Sequence, residues 1–282
     1  MNFLFQKIRR LTLKSEKGQK SLASSGLGWI LGVPLFLILV LPGFALVLSA
    51  GLSEVWAAFL DPAFLEAAFL SLTSSMMALV LILLSGTPLA WWLARSPSSL
   101  SRGVEMILDL PIILPPAVVG IGLLQAFGRS GIMGELLAAV GLNLPFSFMA
   151  VVLAQVVIAA PFYLRSATVA FRNADRNLED VAKTLGHSPI QIFFRVVLPL
   201  CRRGLLAGAL LAWARALGEF GATLLFAGNM PGVTQTLPLA IFSTLERDVH
   251  LAIAMSLLLL ALALLLLALL RRFEKDPAGG NR

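Results

Sequence analysis

Six long apolar stretches constrain this chain more than any other feature of its sequence. Each is close to the ~20 residues that an α-helix needs to cross a hydrocarbon core about 30 Å thick. We place them at about 29–49, 67–94, 106–127, 145–165, 204–228 and 250–270. Charged residues make up 13% of the 282 positions, about half the ~25% typical of soluble domains. The sequence therefore predicts an all-α integral membrane protein with six transmembrane helices, and it excludes a soluble enzyme.

The positions of the lysines and arginines predict the orientation in the membrane. Of the 22 Lys and Arg residues, 19 lie before the first stretch, between the second and third, between the fourth and fifth, or after the last. Because cytoplasmic loops are enriched in these residues, both termini are expected to be cytoplasmic. The chain then divides into a cytoplasmic basic tail (1–28), a first transmembrane helix (29–49), a five-helix domain (66–270) and a second cytoplasmic tail (271–282). The net charge of +7 follows from this topology and does not indicate nucleic-acid binding.

The segment between the fourth and fifth stretches carries helix signals that a plain connector would not need. Gly186 suits the left-handed position that ends a helix, and Ser188 before Pro189 predicts a second helix start. Pro199 is expected to end this second helix. The first helix has candidate caps and an acidic first turn, both favourable at a helix N-terminus, in Asn173, Asp175, Asn177, Glu179 and Asp180. We interpret the two short helices as a docking element for a cytoplasmic partner, with an ordinary capped loop as the alternative.

The same segment resembles the signature of a known family. Asp180-Val-Ala, three residues, Gly186, nine residues and Val196-x-Leu-Pro match the spacing of the E-A-A, G and I-x-L-P pattern of binding-protein-dependent ABC importer permeases. Asp180 and Val181 stand where the pattern has Glu and Ala, with Glu179 next to them. The resemblance implies the type I ABC importer transmembrane fold and a coupling loop at 177–199 that docks on ATPase subunits. The residues that it assigns to this coupling are Glu179, Asp180, Ala182, Gly186, Val196, Leu198 and Pro199.

Two further blocks resemble, more narrowly, the molybdate permeases of this family. One is Asp109–Gly120 (DLPIILPPAVVG), and the other starts at Gly218-Glu-Phe-Gly-Ala-Thr and continues to Pro238. The resemblance implies an importer for an oxyanion, molybdate or the chemically similar tungstate, in a bacterial inner membrane. It also implies a homodimer surrounded by lipid, two cytoplasmic ABC ATPase subunits and an extracytoplasmic oxyanion-binding protein. Sulfate and thiosulfate permeases share the second block more loosely and remain the alternative.

Ionisable residues inside the apolar stretches are few: Asp109, Arg215 and Glu219. A charge at the centre of a membrane helix costs about 2.5–3.5 kcal/mol on insertion scales, so each requires a partner or water. Arg215 and Glu219 are four residues apart and can pair on one helix face. There are two interpretations of this pair. Arg215 and Glu219 form an internal salt bridge that fixes packing, or they line or gate a path for an anion. The candidate path residues are Arg215, Glu219, Thr223, Pro115 and Pro116, the prolines marking either a simple kink or a wet cavity.

Several other functions are disfavoured by what the sequence lacks. There is no G-x-x-x-x-G-K-[ST] motif, so the chain is not expected to hydrolyse ATP, and ATP and magnesium would bind to the partner ATPase subunits. His187 and His250 lie far apart without a carboxylate cluster, so neither a metal site nor a catalytic set is expected. The coupling signature argues against a secondary transporter. An outer polar segment offers contacts for a binding protein, a path mouth, or only a polar loop, through Asn229, Thr234, Gln235 and Thr236.

Overall fold

The computed structural model describes residues 27–96 and 98–274, where each regular element is a helix. Of the tail predicted at 1–28 only 27–28 are described, and of that predicted at 271–282 only 271–274, where the last helix continues to Glu274. Two compact units are present, and the first ends at Ala50. It contains α1 (Leu27–Ser49), which is apolar and includes Pro34 and Pro42. From Gly32 onward the side chains of α1 are almost all exposed, as expected of a helix that faces lipid.

The second unit begins at Gly51 and contains the other helices. Their bounds are α2 (Leu52–Leu60), α3 (Pro62–Arg95), α4 (Ser99–Leu108), α5 (Leu110–Ile113), α6 (Pro116–Phe127), α7 (Gly134–Ala139), α8 (Phe148–Arg172), α9 (Arg176–Thr184), α10 (Pro189–Ile192), a π-helical turn (Phe193–Val197), α11 (Leu198–Leu217), α12 (Gly221–Ala227), α13 (Leu237–Leu245) and α14 (Val249–Glu274).

Within the described residues, five continuous helical runs are long and apolar enough to cross a membrane, or six if one bent pair counts as a span. The five are α1, α3, α8, the run Pro189–Leu217 and α14. With 34 residues, α3 is about 51 Å long and extends beyond a hydrocarbon core of about 30 Å. The predicted fourth span, 145–165, is also longer than expected, because α8 continues to Arg172.

The third predicted span, 106–127, is a bent pair of helical segments and not one helix. The chain bends by 115° between the α4–α5 segment and α6. Leu114 adopts an extended conformation before Pro115, as the ring of a following proline favours. Because α6 has 12 residues, it is only about 18 Å long and cannot cross the core by itself. The prolines correctly predicted an interruption, and of the two alternatives the bend of 115° is larger than a simple kink.

The fifth predicted span, 204–228, is placed too far along the chain. A continuous helical run starts at Pro189 and ends at Leu217, and Gly218–Phe220 separate it from α12. Pro199 therefore does not end the second loop helix, contrary to the prediction. In the π turn the Leu198 N–H bonds to the Phe193 carbonyl, five residues back. This wider turn comes just before the proline, so the missing N–H and bulky ring of Pro199 fall where the helix tolerates them.

Helix α8 lies at the centre of the second unit and packs against both α3 and α11. Glycines on α11 allow the close approach: a Cβ on Gly204 would lie 2.5 Å from the Cβ of Ala170, and one on Gly208 would lie 2.7 Å from the Cβ of Ser166. The Ser166 hydroxyl donates a hydrogen bond to the Gly204 carbonyl at 2.9 Å. Such small-residue contacts hold membrane helices together, because lipid provides no hydrophobic drive for helix association.

The remaining helices of the second unit pack around this central group. α12 packs against α6 and α8, while α14 packs against α2, α11 and α13. A hydrogen bond ties α13 to α3, because the N–H of Leu237 donates to the Ser71 hydroxyl at 2.7 Å. A second links α11 to α3, from the Trp213 indole to the Ser75 hydroxyl at 3.0 Å. Serines inside α3 thus satisfy polar groups that the neighbouring helices bring into the apolar interior.

Candidate functional site

The first helix of the coupling loop, α9, is bounded as its sequence predicts. Asp175 accepts a hydrogen bond from the Asn177 N–H at 2.9 Å and caps the start of the helix. Gly186 has φ +83°, and its N–H bonds to the Lys183 carbonyl at 3.0 Å. The next N–H, of His187, bonds to the Ala182 carbonyl at 3.2 Å. These two bonds form the Schellman arrangement that satisfies the last carbonyls of a helix.

The second helix also starts at its predicted residue. Ser188 and Gln191 form a reciprocal capping box, in which each side chain accepts a hydrogen bond from the backbone N–H of the other. Pro189 occupies the first turn, where its missing N–H has no cost. Because the helix then runs on into α11, the coupling loop is attached to a transmembrane helix by an unbroken backbone. The second loop helix and α11 therefore form one continuous helical run.

The coupling loop has an exposed apolar surface formed by residues that are not part of the signature. Its members are large apolar side chains of α9 that are 46% to 73% exposed: Leu178, Val181 and Leu185. Ile190 and Phe194 are exposed as well, but they line an apolar cavity with Leu84 of α3. Among the signature residues, Ala182 is buried, Val196 and Leu198 are half-buried, and Gly186 and Pro199 are exposed. The signal for this surface was available, because Leu178, Val181 and Leu185 follow a helical spacing. We call these three α9 side chains the docking surface.

The two neighbouring carboxylates of α9, Glu179 and Asp180, have different partners. Asp180 is exposed and accepts a hydrogen bond from the Lys183 ammonium at 2.8 Å, which lowers the pKa of Asp180. Glu179 forms an ion pair with Arg95 at the end of α3, and the two side chains are only 12% and 17% exposed. The structure therefore separates two residues that the sequence analysis placed in one coupling set. The Arg95–Glu179 contact joins residues far apart in the chain, and sequence reasoning missed it.

Arg215 and Glu219 are paired, although not on one continuous helix. Arg215 lies in the last turn of α11, and its Nη2 is 2.7 Å from Oε2 of Glu219 in the break that follows. The other carboxylate oxygen accepts a hydrogen bond from the Ala222 N–H in the first turn of α12, at 2.8 Å. Glu219 is 1% exposed. One buried carboxylate thus neutralises an arginine and satisfies a free N–H at the start of the next helix.

The two sequence blocks that resemble molybdate permeases lie against each other. A Cβ on Gly221 would lie 3.2 Å from the Cβ of Pro116, and a Cβ on Gly120 would lie 2.9 Å from the Ala222 carbonyl oxygen. Larger residues at either glycine would push α6 away from α12. Both helices begin just after a break, at Pro115 and at Gly218–Phe220. The structure therefore brings together the start of α6 and the start of α12, where the candidate path residues lie.

Buried polar atoms without a hydrogen-bond partner mark further positions in the described part of the chain. The Thr223 and Thr236 hydroxyls are in this state, as are both side-chain amide atoms of Gln155. All three side chains are fully buried. An unpaired polar group inside a protein costs roughly 1–3 kcal/mol, so such groups are uncommon unless another role requires them. Thr223 was among the predicted path residues, whereas Gln155 was not recognised from the sequence.

Comparison with known proteins agrees with this architecture. Residues 86–278 match the family described as the inner membrane component of binding-protein-dependent transport systems. The chain belongs to this family. It is 44% identical to the molybdenum transport system permease protein ModB of Mycobacterium tuberculosis over 219 residues, which are 78% of this chain and 83% of that protein. It is 40% identical to ModB of Escherichia coli strain K12 over 182 residues, 64% of this chain and 80% of that protein.

A solved structure supports the fold of this permease. The chain is similar to one of a bacterial alginate ABC transporter in complex with its periplasmic protein, with a TM-score of 0.69, 17% identity, and coverage of 91% of this chain and 96% of that one. The permease therefore has the type I ABC importer transmembrane fold that its signature implied. It is a multi-pass inner membrane component of a binding-protein-dependent transport system.

The third predicted ionisable residue of the permease's apolar stretches, Asp109, also has a partner. Its Oδ1 is 2.7 Å from Nε of Arg165. One turn earlier, Glu105 pairs with Arg172. The two ion pairs tie the α4–α5 segment to α8 and border a cavity of about 260 Å³. Asp109 and Arg165 are both partly exposed, so this charge is compensated by an ion pair that is not fully buried in the protein.

The outer polar segment of the permease is folded upon itself. Asn229 donates to the Ser243 hydroxyl at 2.7 Å and accepts from the Gln235 amide at 2.9 Å. The Thr234 hydroxyl accepts from the Met230 N–H at 3.0 Å. Thr234, Gln235 and Thr236 are all buried. In this conformation the segment matches the expectation of a structural polar loop better than that of an open contact surface.

Within the described residues, no group of three His, Cys, Asp or Glu side chains is placed to hold a metal ion.

Proposed function

We propose that this permease imports molybdate, with tungstate as a chemically equivalent substrate. The observation that carries this proposal is the identity of 44% with ModB of Mycobacterium tuberculosis across 83% of the length of that protein. The two blocks that resemble molybdate permeases support it, because they form one helix–helix contact at Pro116, Gly120 and Gly221. A substrate-specific pathway needs such a contact if several parts of the chain are to act on one ion.

The working unit is proposed to be a homodimer with the path on its two-fold axis. A single chain offers few long helices for enclosing a path, whereas two copies offer a closed ring with one shared central seam. Both termini are proposed to be cytoplasmic, in agreement with the distribution of Lys and Arg. Two ATPase subunits would then bind the two docking surfaces and hydrolyse ATP with magnesium. This chain supplies the path and binds no cofactor of its own in this scheme.

The charge arrangement near the breaks suits a doubly negative substrate. An unpaired carboxylate along the path would repel an oxyanion, and Glu219 is both paired with Arg215 and hydrogen-bonded to the start of α12. The Thr223 hydroxyl lacks a hydrogen-bond partner in the described chain, and a hydroxyl can donate to the oxygens of an oxyanion. We therefore keep Arg215, Glu219, Thr223, Pro115 and Pro116 as the proposed path or gate.

The experiment that tests this function is ATPase activity in proteoliposomes. The permease is reconstituted with its ATPase and its binding protein, and hydrolysis is measured with molybdate, tungstate, sulfate or phosphate. Stimulation by molybdate and tungstate, without stimulation by sulfate or phosphate, is the expected result. Stimulation by sulfate would transfer the permease to the sulfate and thiosulfate group. Anion uptake that does not need the ATPase subunit would refute an ATP-driven importer and favour a secondary transporter.

A further inference from the structure

The ion pair between Arg95 and Glu179 joins the coupling loop to a second transmembrane helix. Arg95 is in the last turn of α3, and Glu179 is in the first turn of α9. The backbone already connects the loop to α11 through α10 and the π turn. The ion pair adds a side-chain connection to α3, the 34-residue helix that packs against α8 and α11. The loop is thus held at two points, one covalent and one electrostatic.

This pair is an expensive way to hold a helix in place. Both side chains are largely buried, yet Nε and Nη1 of Arg95 are buried without a hydrogen-bond partner in the described chain. Desolvation of a buried ion pair is repaid only when its remaining donors are also satisfied, and an apolar pair of similar size is often as stable. A gain in stability therefore does not explain why this pair is charged. A charged pair does, however, fix the direction and distance between α3 and α9.

Glu179 also differs from its neighbour in what it can contact. Asp180 is exposed on the cytoplasmic side and can reach a docked protein, while Glu179 is turned inward to Arg95. The docking surface includes Val181 and Leu185, which follow on the same short helix and are more than half exposed. A force applied to that surface rotates or shifts α9 as a unit. Its inward point of attachment is Glu179.

We propose that Arg95 and Glu179 are a positioning pair that transmits movement of the coupling loop to α3. Glu179 acts through Arg95 and not by binding the ATPase subunit. The inference deepens the proposed function and rests on it. It assigns to α3 a share of the conformational change that would otherwise pass through α11 alone. It also divides the coupling residues into an outward group that docks and an inward pair that transmits.

The first test is a double-mutant cycle in the reconstituted complex of permease, ATPase and binding protein. The variants are Arg95→Gln, Glu179→Gln and both together, and the readout is the ratio of ATPase rates with and without molybdate-loaded binding protein. We expect each single variant to lower this ratio by roughly tenfold, within the range of typical coupling energies. The double variant should be no worse than either single one, because residues in direct contact are not additive. Additive losses would overturn the proposal.

Two further variants separate positioning from general damage. The exchanged pair, Arg95→Glu with Glu179→Arg, restores the opposite charges and is expected to recover most of the stimulation. Glu105→Gln is the matched control, because it breaks another carboxylate–arginine pair, with Arg172 on α8, that does not involve the coupling loop. It should leave the ratio unchanged. If Glu179→Gln weakens co-purification of the ATPase while Arg95→Gln does not, Glu179 contacts the ATPase directly and the proposal is wrong.

A distance measurement tests the pair independently of the transported anion. Spin labels are attached at Phe69→Cys on α3 and Thr184→Cys at the end of α9, both exposed sites, in a Cys201→Ala background. Phe69 is about 39 Å along the helix from Arg95, so the separation suits pulsed dipolar spectroscopy. Glu179→Gln should broaden the distance distribution, and the exchanged pair should narrow it again. An unchanged distribution would overturn the proposal. Absence of molybdate stimulation in the wild type would instead refute the substrate, while these distances would still test the pair.

Discussion

The glycine at the end of α9 provides the sharpest test of the coupling loop. Gly186 has φ +83°, a conformation that residues with a Cβ atom rarely adopt. A Cβ built on Gly186 has nothing within 4 Å. Gly186→Ala therefore causes no collision, and its whole effect comes from backbone strain. Because strain acts here without a steric collision, the energetic cost of Gly186→Ala can be calculated from backbone strain alone.

The expected cost is about 1–2 kcal/mol, the penalty for an L-residue in the left-handed region. If the loop must keep its Schellman turn to present Val181 and Leu185 together, this cost is paid on docking. A loss of 1–2 kcal/mol corresponds to a factor of roughly 5 to 30 in an equilibrium constant. The Kd of the ATPase subunit for the permease should therefore rise about 5- to 30-fold. Asn tolerates this conformation better, so Gly186→Asn should cause a smaller rise.

The assay is a titration of the ATPase subunit against the permease in lipid nanodiscs. Gly103→Ala in α4 is the matched control, because a Cβ there also meets nothing within 4 Å and its backbone is helical. The control should leave the Kd unchanged. The order wild type, then Asn, then Ala is the signature of strain at a left-handed residue. Equal losses for Asn and Ala, or no loss for Ala, would refute the reasoning that links docking to this turn.

Two further predictions concern the helix break after α11. Glu219→Gln keeps an acceptor for the Ala222 N–H but leaves Arg215 without a counter-charge. The permease should therefore lose about 1–3 kcal/mol of stability, less than for a fully buried pair. The expected result is a lower Tm in detergent, which adding Arg215→Gln should largely recover. Thr223→Val removes an unpaired buried hydroxyl at constant shape and should reduce molybdate uptake without lowering Tm. Thr73→Val is its control, because that hydroxyl bonds to its own helix at Phe69; equal uptake by both variants would assign Thr223 to packing.

Local signals in the sequence predicted the parts of the coupling loop that depend on local chemistry. The cap by Asp175, the left-handed Gly186 and the start at Ser188-Pro189 each involve residues within a few positions of one another. Capping and turn formation are short-range effects, so their residue types are informative without any tertiary context. Pro199 shows the limit of such rules. Its missing N–H predicted an end, but a π turn placed just before it lets the helix continue.

Contacts between distant segments could not be predicted in the same way. The sequence indicates only that Glu179 is an acidic residue near a helix N-terminus, where the helix dipole stabilises a negative charge. Nothing in the residues next to it in the sequence indicates that its partner, Arg95, lies 84 residues away. The bend of 115° before α6 also depends on tertiary packing. A proline indicates where a helix breaks, but it does not determine the direction in which the chain continues. The family resemblance identified the two blocks around Pro116 and Gly221, while their mutual contact required the structure.

The two helix breaks lie side by side for a reason that follows from the membrane. A broken helix exposes backbone N–H and C=O groups that lipid cannot satisfy, so a break is tolerated only against protein or in a wet cavity. At α6 the first residue is Pro116, which has no N–H, and the N–H groups of Val118 and Val119 bond back to the Pro115 carbonyl. At α12 the Glu219 carboxylate accepts the Ala222 N–H, and Arg215 neutralises its charge. Residues at each break thus satisfy some of its backbone groups, and the two breaks pack against each other through Gly120 and Gly221. If the coupling loop moves α11, as the proposed function requires, we expect this contact between the two interrupted helices to shift as a unit.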